Sequence, residues 1–173
     1  MTDEIVGGPG WVIRATDLRP AITDAEAFAK NRQSDPLGDI LTSLWTGDPV
    51  AALHLLEREP ATQRVRALRA DCYRDLGNPA RAIREYDDLV DETMHTSREA
   101  VMRQHRGKAH LAAGDTARAI RDFERAVLLR QGGDPALLAS AQQALQAAEG
   151  WGRAEPKSAA AFREVPGAGR SAK

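Results

Sequence analysis

The sequence predicts an all-α fold in which antiparallel helical hairpins stack into a short α-solenoid closed by a C-terminal capping helix. Three observations predict it. First, one string recurs: "GNPARAIREY" from Gly77 to Tyr86 returns as "GDTARAIRDF" from Gly114 to Phe123, and a weaker copy, "GDPVAALHLL", runs from Gly47 to Leu56. Each copy has Gly, then Asn or Asp, then Ala five positions after the Gly. Second, helix start and stop signals alternate along the chain at short intervals, so successive helices must fold back on one another. Third, no run of alternating β-branched residues is long enough for a sheet. "WVIRATDL" (11–18) reads as extended but has no partner strand in the sequence pattern.

The elements follow in order. Residues 1–22 contain Gly7, Gly8, Pro9 and Gly10 and read as irregular. Thr23 with Glu26 forms a capping-box pattern ahead of a short helix at 24–32. Ser34-Asp35-Pro36 opens a helix at 36–45. Asp48-Pro49 opens 49–59, because the Asp side chain accepts from free backbone N–H groups and Pro loses nothing at a position with no hydrogen bond to make. A helix at 61–76 follows. Asn78-Pro79 opens 79–94, Thr96 with Glu99 opens 97–113, Asp115 opens 116–131, and Asp134-Pro135 opens 135–149. Gly47, Gly77, Gly114 and Gly150 each follow an apolar-periodic run and suit the left-handed position that ends a helix. In the last helix Leu137, Leu138, Ala141, Leu145 and Ala148 form one apolar stripe, with Gln142, Gln143, Gln146 and Glu149 facing water. Three segments result: an N-terminal stretch over 1–35, a repeat domain over 36–149, and a disordered basic tail over 150–173. The tail expectation rests on its Ala, Gly, Ser and Pro content.

Composition narrows the function classes. The 173 residues carry a formal net charge of −1, and 36–149 holds 15 basic and 17 acidic residues, so no basic field favours nucleic acid. No apolar run reaches the roughly 18 residues a membrane span needs. The N-terminus has acidic flanks and no apolar core, unlike a signal peptide, so a cytoplasmic location is expected. Cys72 is the single cysteine and reads as a small packing residue. His54, His95, His105 and His110 form no i,i+4 pair, so no metal is expected. The carboxylates Glu85, Asp87, Asp88, Asp91 and Glu92 read as a solvated face, with no nucleophile or cation site beside them. "GGPG" at 7–10 is not followed by the Lys-Ser/Thr of a phosphate loop. No catalytic constellation and no cofactor is expected.

The repeat resembles the tetratricopeptide repeat, a helix–turn–helix unit of about 34 residues. The resemblance covers roughly 36–149. It rests on Ala70, Tyr73, Gly77, Ala82, Tyr86 and Leu89 in the central unit and on Gly107, His110, Gly114, Ala119, Phe123 and Ala126 in the next. In the first unit it rests on Gly47, Ala52 and Leu56. The sequence departs from the family at His110, which replaces an aromatic, and in spacing: Gly47 to Gly77 is four short, and Gly77 to Gly114 is three long. The extra residues fall at "DETMHTS" (91–97), so that connection is expected to be extended. The apolar set Leu37, Ile40, Leu41, Leu44 and Trp45 is one position out of register with helix 61–76.

The resemblance implies a right-handed solenoid and two kinds of residue. Ala52, Ala70, Ala82, Gly107, Ala119 and Ala126 are small so that helices approach closely. Tyr73, Tyr86 and Phe123 fill the gaps between hairpins, and His110 is a packed, hydrogen-bonded imidazole. Arg64, Asp71, Arg74, Val101, Gln104, Lys108 and Leu111 would line the concave groove beside Ala67, with Arg74 and Lys108 as long, exposed side chains. The subclass that clamps a terminal carboxylate needs cations where this chain has Leu37, Leu41, Leu68, Val101 and His105, so that activity is disfavoured. Trp11 is expected either to fold back along the first repeat or to mediate self-association. Trp45 is expected to join the N-terminal core, and Trp151 is an exposed anchor candidate. The expected function is a non-catalytic scaffold or adaptor that binds a protein or peptide in the groove. The alternative is a structural or regulatory subunit that self-associates through its ends.

Overall fold

Side-chain caps define most helix starts. In the computed structural model, which describes residues 5–154, Asp48, Asn78 and Asp115 accept from the backbone N–H of Ala51, Arg81 and Arg118. Gly47, Gly77 and Gly114 take φ of 92°, 79° and 78° just before them, a conformation that costs a residue without Cβ nothing. The helices are α1 (Ala25–Arg32), α2 (Gly38–Trp45), α3 (Pro49–Leu56), α4 (Gln63–Asp75), α5 (Pro79–Thr93), α6 (Glu99–Ala112), α7 (Thr116–Arg130) and α8 (Pro135–Ala154). Each packs on the next from α2 onward, giving hairpins α2–α3, α4–α5 and α6–α7 with α8 against α7. The first helices of successive hairpins also touch, α4 on α6 and α6 on α8. This is an all-α helical-repeat arrangement with a capping helix.

Several expectations are corrected. The capping boxes shift: Asp24 rather than Thr23 caps α1, and Glu99 is itself the first residue of α6, its carboxylate accepting from His95 N–H. In α2, Leu37 occupies the N-cap position with no side-chain cap, while Asp35 accepts from Leu37 N–H two residues earlier. Gly150 does not end the last helix. α8 continues to Ala154 because Trp151 packs on the α7–α8 core and holds the extra turn in place. Of the expected α8 stripe, Ala141 and Ala148 are buried and Leu138 and Leu145 half-buried; Ala144 joins them, and Leu137 is 48% exposed. Small residues face α7 because a close helix approach leaves no room for larger ones. The expected tail beyond Ala154 lies outside the described residues.

The largest difference lies at the N-terminus. Residues expected to be irregular form a three-stranded antiparallel sheet: β1 (Ile5–Gly8), β2 (Trp11–Ile13) and β3 (Pro20–Ile22), in that order. Val12 thus pairs with both Val6 and Ala21. Strands this short have no independent stability, so the sheet persists through what it packs against. Trp11 lies 4.6 Å from the Trp45 ring, and Phe28 lies 5.4 Å from the same ring. Gly10, at φ 78°, approaches α1 so closely that a Cβ would sit 2.4 Å from Asp24 O and Phe28 N. The connection from Arg14 to Arg19 is closed by Arg14 N–H donating to Arg19 O and Leu18 N–H donating to Arg14 O, both at 2.9 Å. Leu18 takes φ 57° and is 1% exposed. That backbone is unfavourable for a leucine and persists because the side chain is buried in the α7–α8 core.

Leu18→Ala should therefore lower stability by about 2–3 kcal/mol through lost burial. It should also make the Arg14–Ala15 bond susceptible to trypsin in the native state. Unchanged thermal unfolding together with unchanged tryptic resistance would show that the loop is not anchored by this residue.

Candidate functional site

The first helices of the hairpins, α2, α4 and α6, share one face of the solenoid with α8, and the N-terminal segment divides that face lengthwise. Over the C-terminal ends of the helices lies the β2–β3 connection. Thr16, Asp17 and Arg19 border a cavity with Arg74, Lys108, Leu111, Ala112 and Trp151, and Arg19 Nε lies 3.3 Å from Asp75. Over the N-terminal halves of α4 and α6 and the C-terminal half of α2 the face is open. There a cleft of about 490 Å³ is lined by Leu41 and Trp45 of α2, Ala67, Leu68 and Asp71 of α4, and Val101, Met102 and His105 of α6, with Pro20 at its edge. Arg64 and Arg98 stand at its rim.

Beneath the covered half lies a buried charge network. Asp71 is 6% exposed and Arg74 is 5% exposed. Asp71 Oδ1 accepts from Arg74 Nη1 and from the Tyr86 hydroxyl, each at 2.8 Å, and its Oδ2 lies 3.1 Å from His105 Nδ1. Burial alone would raise the Asp71 carboxyl, but Arg74, His105 and Lys108 outweigh it and hold the group below the usual carboxylate range. Burial also dominates at Tyr86, where Asp71 adds to it and the phenol is held far above its ordinary value. Arg74 makes a second bond, from Nε to Asp75 at 2.7 Å.

Of the seven residues expected to line an open groove, Arg64 and Val101 border the open cleft, with Asp71 at its floor. Arg64 is exposed and held by a two-pronged ion pair to Asp35, at 2.8 and 2.6 Å. The expectation that Arg74 and Lys108 are exposed is corrected: they are 5% and 7% exposed, and Asp71 and Gln104, expected on the same groove face, are each 6% exposed. Arg74 is buried by the network and by the N-terminal connection. Gln104 bridges helices, donating to Ser140 Oγ at 3.2 Å and accepting from Arg130. Lys108 lies at the covered cavity. Leu111 is half-buried against the α7–α8 core.

The packing residues sit between helices. Ala52, Ala70, Ala82, Tyr86, Ala119, Phe123 and Ala126 have no exposed surface. Gly107 is buried against Phe123. Tyr73 is half-buried, with the Arg81 guanidinium 3.8 Å above its ring. His110 is 5% exposed, and burial lowers its pKa, which keeps it neutral. Its Nδ1 has no hydrogen-bond partner among the described residues, which corrects the expectation of a hydrogen-bonded ring.

Sequence reasoning missed Arg98, Met102 and Trp45 as cleft residues, and Thr16 and Arg19 as part of the covered half. Arg98 and Met102 are one turn apart on α6, and the signal for them was Val101, their neighbour. Four of the five positions noted for lacking clamp cations, Leu41, Leu68, Val101 and His105, line the cleft. The apolar character of Leu41, Leu68 and Val101 makes it a hydrophobic trough. Among the described residues no group of three or more His, Cys, Asp or Glu is placed to hold a metal ion, and no helix is long and apolar enough to cross a membrane. Comparison with protein-family models, curated proteins and solved structures found no match.

Proposed function

We propose that the protein is a non-catalytic interaction module of the tetratricopeptide type. It takes an extended peptide segment of a partner protein into the open half of the concave face. The observation that carries this reading is the trough itself: about 490 Å³, with Leu41, Trp45, Leu68, Val101 and Met102 around it and cations at its rim. An apolar floor supplies affinity for side chains inserted from an extended segment, and the few polar groups supply orientation. Charge selects the sign of the partner. Arg98 has no carboxylate within 4.0 Å among the described residues and donates only to Gln63. The N-terminal ends of α4 and α6 lie on the same side, and helix starts favour negative charge. The complementary segment alternates apolar residues with Asp or Glu.

The test is selection from a displayed random-peptide library, followed by titration of a selected peptide monitored by tryptophan fluorescence. Enriched sequences should combine acidic and apolar residues. Arg98→Glu with Val101→Glu should weaken binding at least about tenfold by adding like charge to the rim, while helicity and melting temperature stay at parent values. Raising the salt should weaken the parent complex by screening. Failure to enrich any motif, or equal affinity of parent and double variant, would remove the trough as the docking site.

A further inference from the structure

The structure assigns a second, separate site: we infer that the cavity under the β2–β3 connection binds a small monocarboxylate, held by the Lys108 ammonium. The cavity, of about 200 Å³, is bordered by three cations, Arg19, Arg74 and Lys108. Arg74 is matched by Asp71 and Asp75 at 2.8 and 2.7 Å. Arg19 is matched by Asp75 at 3.3 Å and Asp17 at 3.8 Å. Lys108 is 7% exposed, yet its ammonium has no hydrogen bond or ion pair among the described residues, and it is not sealed off from the cavity it borders. A buried cation without a partner is costly, and here it faces a space many times larger than one water requires.

The missing partner is one negative charge with a body of limited size. Leu111, Ala112 and Trp151 offer apolar wall, and the exposed Thr16 supplies a hydroxyl with no hydrogen bond among the described residues. A carboxylate on a short carbon chain satisfies both. A phosphate dianion would leave surplus charge beside Asp17, Asp71 and Asp75. Burial, and then the neighbouring Arg74, lower the Lys108 pKa to about 8 in the empty site. A bound carboxylate reverses that by favouring the protonated amine. The charged groups around Lys108 are Asp71, Arg74 and Asp75 of α4, Arg130 of α7, His105 of its own helix, and Asp17 and Arg19 of the connection. Affinity for the carboxylate should fall as pH rises through the Lys108 value, where the ammonium loses its charge.

The chain has four lysines, at 30, 108, 157 and 173, so lysine-selective isotope labelling gives a spectrum simple enough to assign with Lys108→Met. Butyrate, added against sodium chloride at constant ionic strength, should raise the Lys108 pKa by about one unit and leave the other three unmoved. It should also raise the melting temperature of the parent but not of Lys108→Met. The parent titration does not depend on how the variant folds. A Lys108 signal that butyrate leaves unmoved would overturn the site. An equal response to inorganic phosphate would overturn the monocarboxylate assignment. Neither result bears on peptide docking in the trough.

Discussion

Asp71→Ala should be severely destabilising, by about 3–5 kcal/mol, because removing one member of a buried ionic network leaves the others uncompensated. Asp71 receives bonds from Arg74, Tyr86 and His105, on three different helices. Without it, Arg74 keeps only Asp75, and the Tyr86 hydroxyl keeps only Ala67 O. Urea unfolding should show a lower midpoint at an unchanged slope. Asp71→Ala with Arg74→Met should recover part of the loss, since an apolar pair of similar volume avoids the desolvation of both charges. The pH dependence has a definite sign. Arg74, His105 and Lys108 overcome the effect of burial, so the folded carboxyl titrates below its unfolded value of 3.8. The stability it contributes is therefore full above that value and is lost as pH falls through the lower, folded one. The parent should lose this increment in acid and Asp71→Ala should not. A variant within about 1 kcal/mol of the parent, no more than an ordinary exposed pair is worth, would show that the network does not hold α4, α5 and α6 together.

Gly107→Leu should rank beside it. A Cβ at Gly107 would lie 2.6 Å from Phe123 Cε1 and 2.9 Å from Cζ, and Phe123 has no exposed surface into which to retreat. Overpacking of this kind costs about 3 kcal/mol, which for a chain of this length lowers the melting temperature by about 6–12 °C. Gly107→Ala should already be measurably destabilised, and adding Phe123→Leu should restore part of the loss by withdrawing the ring. If Gly107→Leu melts like the parent, α6 and α7 do not cross at this point.

Features encoded locally were readable in the sequence. Asp48, Asn78 and Asp115 cap their helices because the donors they satisfy lie three residues away, so a short string contains the whole interaction. Gly107 as a small crossing position was readable for a related reason, because the repeat supplies its register; its contact with Phe123 of the same hairpin was not, since that ring was expected between hairpins. The N-terminal sheet was not readable. Its strands are three or four residues long and contain two adjacent glycines and a proline. They acquire meaning only from what they pack on, Phe28 of the following helix and, far along the chain, Trp45 and the α7–α8 core. The same blind spot explains Arg74 and Lys108. Their helical register does place them on the face shared by α4 and α6, but their burial depends on a loop that begins 60 residues before the first of them.

The N-terminal segment also changes what kind of polymer this is. In a linear array of hairpins each unit touches only its neighbours, and the ends fray independently of the middle. Here Trp11 and Ile22 pack against the α2–α4 core, while Ile13 and Leu18 pack with Ala144 and Ala148 of α8. A single stretch of about a dozen residues thus fastens the beginning of the array to its end, as a buckle closes a belt. Amide protons of α8 should consequently exchange through the same global opening as those of α4, not through a terminal fraying step. The array should melt as one cooperative unit. Folding should carry a matching kinetic signature, because the buckle joins residues more than a hundred positions apart and such contacts form late and slowly.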